Sequence, residues 1–440
     1  MSNEPPKIAE VSPFEDFAAS DLEPTSAFAE TLDGIDPLAA FRDRFHHPVD
    51  AEGRPVAYFV GNSLGLQPTE AGSIVTEVMD DWARLGVDGH FDAERPWYPY
   101  HEQVRSELAE VVGARSTEVV AMNTLTVNLH LLLMSFHQPT GERRKILIED
   151  GAFPSDTYAV STHVAARGGD PETDVVRLKP RAGEDLLRTE DIEAEIARLG
   201  DQLSTVMLGG VNFRTGQLLD IPAITAVGHA VGATVGFDLA HAAGNVPLDL
   251  HDAEVDYAAW CSYKYLNAGP GAIAGAFIHE RHATDLELPR FAGWWGNDPE
   301  TRFRMHLEDR FVPVPTAEAW QLSNPSILAL APLVASLQTF VEAGMPALRA
   351  KSRVLTGFLH ACLRDALPED ASIVTPSNAE ERGCQLTVRL AGDAKARFER
   401  LAAHGVIADF RPPDLIRLAP VPLYTTFQDC FRAAEALRDA

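Results

Sequence analysis

The sequence predicts an α/β fold, with a large domain built on a mostly parallel central sheet flanked by helices and a smaller C-terminal α+β domain. Three observations carry this reading. Short apolar runs alternate with amphipathic helical stretches through the middle of the chain, the pattern of a parallel sheet covered on both faces. An acid and then a lysine close two successive runs, and such sheets bind ligands at their strand carboxyl ends. After about Ala343 the alternation gives way to one long helix and scattered short strands.

With 440 residues and 45% apolar content, the chain can bury a large core and is long enough for two domains. Its net charge of −27 is spread over the whole length, which argues against nucleic acid or an anionic membrane as partner, since both recruit Lys and Arg. No apolar run approaches the roughly 20 residues of a membrane span. Met1 to Glu10 is polar with no signal-peptide core, so a cytoplasmic location is expected. Cys261, Cys362, Cys384 and Cys430 form no Cys-x-x-Cys pair and read as reduced and structural. No His-Glu-x-x-His occurs, and His279 and His282 have no evident acidic third ligand, so no metal site is expected.

Taken in order, residues 1–31 are rich in Pro, Glu, Asp and Ser and read as a mobile or loosely packed arm within an N-terminal segment, 1–57. Asp36 to Phe45 fits a short helix. Tyr58-Phe59-Val60 then reads as a strand breaking into the turn Gly61-Asn62-Ser63-Leu64-Gly65 and opening the large domain, 58–325. Pro68 and Thr69 start a helix with Ile74, Val75, Val78, Met79 and Trp82 on one face. His90 to Pro99 reads as an aromatic loop, and His101 to Val112 as a helix closed by Gly113. Met122 to Asn128 leads into an apolar stretch to Phe136, a buried helix whose polar first turn can meet an anion. Strands are expected at Lys145–Glu149, Asp174–Leu178, Thr205–Gly209, Ala233–Phe237, Tyr257–Ser262 and Ala272–Ile278, with helices at Thr157–Arg167, Glu190–Leu199 and Pro222–Val231 between them. Gly269 to Ala274 matches G-x-G-x-x-A, but a strand follows it where that fingerprint needs a helix, so it reads as a turn. The small domain, 326–440, is expected to hold the helix Ala347–Ala366 and strands at Gln385–Leu390 and Leu415–Leu418.

Lys264 sits where the apolar run ending at Cys261 meets a glycine-rich turn. A strongly hydrated ammonium is costly there, and one enzyme use for such a lysine is covalent attachment of a carbonyl cofactor. A lysine snorkelling from a strand end would look the same in isolation. Asp238, closing the preceding run with His241 three residues on, tips the balance, because a carboxylate keeps the ring nitrogen of pyridoxal phosphate protonated.

The chain resembles the kynureninases, pyridoxal-phosphate enzymes of the aspartate-aminotransferase fold class (fold type I). The resemblance rests on Gly61 to Pro68, Leu125 to His130, Phe153-Pro154-Ser155-Asp156, Gly236 to Ala242, Trp260 to Gly269, Gly293-Trp294, Ser323-Asn324-Pro325 and Ile416 to Pro420, in that order. It implies that Lys264 carries the cofactor and Asp238 pairs with its ring nitrogen. Phe153 would stack on the ring; Leu125, Thr126 and Tyr263 would serve its phosphate. Pro154, Ser155, Asp156, His241, Trp294 and Asn324 would line the site, with Trp294 and Asn324 contributed across a homodimer interface. Arg417 would take the substrate α-carboxylate, a task its planar fork suits, and Ser63, His90 and Asn324 would face the rest of the substrate. Gly209 stands where relatives carry a Ser or Thr that helps hold the cofactor, which removes one hydrogen bond from the expected set.

The implied reaction is hydrolysis of L-kynurenine or 3-hydroxy-L-kynurenine to anthranilate or 3-hydroxyanthranilate and L-alanine, with Lys264 as base and Tyr263 as candidate proton carrier. Cysteine desulfurases and selenocysteine lyases share the fold class but need a mobile-loop cysteine, for which this sequence offers no glycine-serine loop.

Overall fold

The computed structural model describes residues 13–439 apart from residues 16 and 308, so the first part of the expected arm lies outside the described residues. Seven strands form the central sheet: β1 (Val119–Ala121), β2 (Lys145–Glu149), β3 (Val175–Leu178), β4 (Leu203–Gly209), β5 (Thr234–Asp238), β6 (Tyr257–Trp260) and β7 (Gly275–Ile278). Their spatial order is β1-β7-β6-β5-β4-β2-β3. Strands β2 to β6 pair in parallel, and β7 runs antiparallel to both neighbours.

Alternate residues of these strands feed two cores, one on each face. Leu147, Val206, Val235, Phe237 and Ala258 pack into one, and Ile146, Ile148, Met207, Tyr257 and Ala259 into the other. Burial on both faces explains why the strands read as continuous apolar runs. β1 was not expected as a strand; its three residues carry too little pattern to be read alone. β7 starts at Gly275, later than the expected Ala272; Gly275 lies opposite Trp260, where a methyl group would collide with the indole. The chain between Trp260 and Gly275 is thereby released from the sheet, and it carries the lysine.

The helix Ala71–Leu85 corrects the expected face. Ala71, Ile74, Val78 and Asp81 are buried, whereas Met79 and Trp82 are 44% and 58% exposed. The core stripe follows the i, i+3, i+7 positions from Ala71, and Met79 and Trp82 lie one position further round the helix. Pro68, expected with Thr69 at the helix start, lies instead in the short strand Gln67–Pro68, which pairs with Phe45–His46. The expected helix at Asp36–Phe45 is a 3-10 helix, Ala39–Arg44. Short helices, Gly86–Asp88 and Gly89–Asp92, lead into the expected loop after His90.

The C-terminal part has a third core around an antiparallel sheet of β8 (Ser372–Ile373), β9 (Leu386–Arg389), β10 (Asp409–Arg411) and β11 (Leu415–Leu418), in the order β8-β9-β11-β10. Leu330 to Leu348 pack in the core shared with the large sheet, as do Cys384, Ala419 and Tyr424, whereas Ala350, Val354, Phe358 and Cys362 of the helix Met345–Ala366 pack in the third core. Loose packing of the arm is also corrected for the described residues. Thr25 caps the helix Ser26–Gly34, and its Ala29 and Leu32 are fully buried with Phe14, Leu22 and Phe358 in the third core. Among the described residues no single helix is long and apolar enough to cross a membrane.

A buried ion pair ties the N-terminal segment to this domain. Lys351 Nζ lies 2.7 Å from Asp36 Oδ2, with both side chains 3% exposed, and donates to the Pro422 carbonyl at 2.6 Å. Lys351→Ala is expected to destabilise the protein by roughly 3–5 kcal/mol in denaturant unfolding, because it leaves Asp36 charged and unpaired. Lys351→Ala combined with Asp36→Ala should recover part of that loss.

Candidate active site

Lys264 lies in the segment that leaves β6, held in place by backbone contacts. Gly65 N–H donates to the Tyr263 carbonyl at 2.8 Å, and Asn267 N–H to the Lys264 carbonyl at 3.0 Å. A side chain at residue 65 would collide with that Lys264 carbonyl, which explains the glycine in Gly61 to Gly65. The lysine amine projects into a cavity at the carboxyl ends of β2, β4 and β5, lined by Leu125, Thr126, Phe153, Ser155, Asp156, Gly209, Asp238, His241 and Tyr263. The sequence-derived cofactor residues thus converge, apart from Pro154, Trp294 and Asn324.

The charges in this cavity are balanced closely. Lys264 Nζ lies 3.1 Å from His241 Nε2 and 5.7 Å from the centroid of the Phe153 ring. Burial, reinforced by the Lys264 charge, pushes His241 well below its ordinary pKa, so the imidazole is neutral and Nε2 is free to accept. Asp238 and Asp156 share a hydrogen bond. Burial and then the Asp238 charge raise Asp156 well above the carboxylate range, so it keeps the shared proton. Burial also raises Asp238, but the Ala240 N–H, donating at 2.7 Å, and Asp156 favour its anion. The pair therefore presents one negative charge to the cavity. Burial raises the Tyr263 phenol above its usual value, so that it holds its proton firmly.

Two helix N-termini open onto the same space. Neither the helix Leu125–Phe136 nor Pro154–Ala166 has a side-chain cap, and the Thr126 and Ser155 hydroxyls lie 2.8 Å apart between them. Free amides at positive dipole ends, with two hydroxyls, make an anion site. Asp156 Oδ1 and His241 Nδ1 are buried without a hydrogen-bond partner, and Phe153 leaves 40% of its surface uncovered. A phosphorylated aromatic aldehyde with a basic ring nitrogen suits this set of groups: amine, carboxylate, flat apolar face and anion cradle.

Other expected residues sit apart within the single chain. Ser63, His90 and Asn324 are exposed. Trp294 is half-buried, edge-on to Trp295 at 4.9 Å. Arg417 is 1% exposed; its Nε donates to Asp409 at 2.8 Å and its Nη1 to the Phe213 carbonyl at 2.6 Å, and Phe213 lines the cavity. Sequence reading missed Glu149, Phe213 and Asp409. Glu149 was findable, since it ends an expected strand beside the others. The histidines without an acidic partner are also corrected. Glu118 lies 3.7 Å from His279 Nδ1 and 2.9 Å from His251 Nδ1, and Asp256 lies 2.6 Å from His282 Nε2. These carboxylates already accept backbone N–H groups of Arg115, Glu280 and Val235.

Residues 348–437 match the family described as the kynureninase C-terminal domain. The chain is 54% identical over 417 residues to a kynureninase of Myxococcus xanthus, covering 94% of this chain and 97% of that protein. A kynureninase of Koribacter versatilis is 50% identical over 415 residues, with 94% and 97% coverage. Among solved structures, a mutant of C-DES with glycine covalently linked to its PLP cofactor superposes with a TM-score of 0.72 at 20% identity, covering 87% of this chain and 96% of that one. A cysteine desulfurase of Escherichia coli gives 0.73 at 16% identity, with 91% and 98% coverage. These structures share the fold.

Behind Trp295, Glu318 lies 3.0 Å from Arg302, 2.8 Å from Arg105 and 3.3 Å from His101. Burial works to raise its pKa, but the hydrogen bond and charge of His101 and the two arginines hold it at about 2. A depressed carboxylate adds stability above its unfolded pKa and loses it as pH falls. Glu318→Gln is expected to flatten the decline in unfolding free energy between about pH 4.5 and pH 2, a difference of roughly 3 kcal/mol measured by urea titration at each pH.

Proposed function

The chain belongs to the kynureninase family, and from that premise we propose how its residues divide the work of hydrolysing L-kynurenine or 3-hydroxy-L-kynurenine. It is a pyridoxal-phosphate-dependent hydrolase that cleaves a carbon–carbon bond in a ketonic substrate, releasing L-alanine and anthranilate or its 3-hydroxy form. The observation that carries the assignment of roles is the meeting of Lys264 with neutral His241, Phe153 and the Asp238–Asp156 pair in one cavity. Bound there, pyridoxal phosphate supplies a cationic ring that takes up the electron pair released at the substrate α-carbon.

Lys264 would hold the cofactor through its amine, and once released that amine would be placed to take the substrate α-proton. Neutral His241 accepts a hydrogen bond from that amine without opposing its charge. Asp238 would keep the ring nitrogen protonated, and Asp156 beside it would favour the Asp238 anion. Thr126, Ser155 and the two helix N-termini hold the phosphate, and Arg417 receives the α-carboxylate. Tyr263, which burial keeps protonated, would give its proton to the γ-carbonyl oxygen as water adds and regain one from that water; as the hydrate collapses, the hydroxyl proton would pass through the same phenol to the β-carbon.

A homodimer fits the surface. Met79, Trp82, Val87 and Phe91 are exposed together along one stretch, with Val87 76% and Phe91 61% accessible. Trp294, Asn324 and His90, which lie apart from the cavity of their own chain, would serve the partner's cavity in such a dimer, with Asn324 and His90 choosing between kynurenine and its 3-hydroxy form. A cytoplasmic location is proposed with it, supported by four free cysteines in the described residues. All four are buried, which disfavours a sulfur-accepting loop cysteine.

The purified protein is expected to show a long-wavelength cofactor band, and anthranilate fluorescence should appear on adding L-kynurenine; a band that shifts without anthranilate would point to 3-hydroxykynurenine or a β-lyase, and no band after added pyridoxal phosphate would end the assignment. Lys264→Ala should lose that reaction entirely. Arg417→Lys should raise KM for kynurenine about tenfold or more with a smaller change in kcat, because an ammonium cannot reproduce the guanidinium fork. Trp82→Glu should shift the protein towards monomer in sedimentation.

A further inference from the structure

Glu149 ends β2 inside the cofactor cavity, yet the division of roles above leaves it without a task. It is 5% exposed and lines the cavity. Its Oε2 accepts from Asn212 Nδ2 at 2.7 Å, and its Oε1 from Gly209 N–H at 3.3 Å. A Cβ on residue 209 would lie 2.8 Å from Oε1. The glycine is therefore what admits the carboxyl: any side chain at 209 must displace it.

Asn212 passes this contact on. Its Oδ1 accepts from Arg214 N–H and Thr215 N–H, both at 2.9 Å, which folds residues 212–217 into a tight turn closed by Gly216 N–H on the Asn212 carbonyl at 2.9 Å. That turn reaches the C-terminal domain. The Phe213 carbonyl accepts from Arg417 Nη1 at 2.6 Å and from Gln385 Nε2 at 3.1 Å, and the Arg214 carbonyl accepts from Thr387 Oγ1 at 2.7 Å. The Phe213 ring meets Phe153 edge-on at 5.4 Å. A chain of short contacts thus runs from the Glu149 carboxyl to the guanidinium of Arg417.

We propose that Glu149 is a positioning residue: its carboxyl, admitted by Gly209, fixes the Asn212 turn and so aims Arg417 at the substrate α-carboxylate. The inference rests on Arg417 receiving that carboxylate. An isosteric Gln loses one of the two accepting contacts and leaves either Asn212 or Gly209 without a partner.

The test uses holoenzyme and two probes: L-alanine, which carries the α-carboxylate, and 2-aminoacetophenone, an aryl ketone that lacks it. Glu149→Gln should weaken L-alanine about tenfold, leave 2-aminoacetophenone within about twofold, and raise KM more than it lowers kcat. Gly209→Ala should do the same without altering the carboxyl, since its methyl group displaces it. Combining Glu149→Ala with Gly209→Ala should be no worse than the more severe single change, because both act on one contact. Unchanged L-alanine binding in both Glu149→Gln and Gly209→Ala, equal weakening of the two probes, or additive effects in the double variant would overturn the proposal. L-alanine binding that Arg417→Lys leaves unchanged would instead sink the reading on which it rests.

Discussion

Everything in the site depends on holding an ammonium and two carboxyls together at the carboxyl edge of a buried sheet. Isolated, each charge would be expensive in that setting. The structure reduces the cost by neutralising neighbours: burial keeps His241 uncharged and leaves a proton on Asp156. Lys264 then faces the Asp238–Asp156 pair, with the Glu149 carboxyl in the same cavity held by Asn212 and Gly209. The remaining polar demand, two uncapped helix ends and two hydroxyls, is directed at an anion. A cavity of this composition suits a ligand that brings a phosphate and a basic ring, which is why cofactor and fold belong together.

The backbone near the lysine is shaped by steric exclusion more than by attraction. Gly275 lets Trp260 lie flat against β7, and Gly65 lets the Gly61 to Gln67 turn cross the lysine segment. Each glycine stands at a close approach that a methyl group would forbid. The lysine therefore projects from an irregular stretch whose two ends are tied to rigid elements, a placement that fixes the amine without burying it in the sheet.

The part built on the large sheet and the C-terminal part meet at the Asn212 turn, which hydrogen-bonds Arg417, Gln385 and Thr387. Arg417 comes from the small domain and Lys264 from the large one, so substrate binding requires their registry. Asp409 supports the same arginine from β10. A substrate spanning the two groups would therefore sense any shift between the domains.

By itself the sequence determined the strand–helix alternation, the cofactor lysine and its acid, and the family, because these depend on local pattern and on residue types at strand ends. The strands β2 and β11 have the expected limits, and Lys264, Asp238, His241 and Phe153 meet as the resemblance implied. The helix Ala71–Leu85 shows where pattern runs out: two apolar stripes lie side by side, and only packing decides that Ile74 and Val78 face inward while Met79 and Trp82 face outward. Only the tertiary structure decided which carboxyl keeps a proton, that Gly209 makes room for Glu149, and that a turn in one domain grips the arginine of the other. Those outcomes depend on desolvation and on contacts between residues far apart in the chain, which no local pattern records.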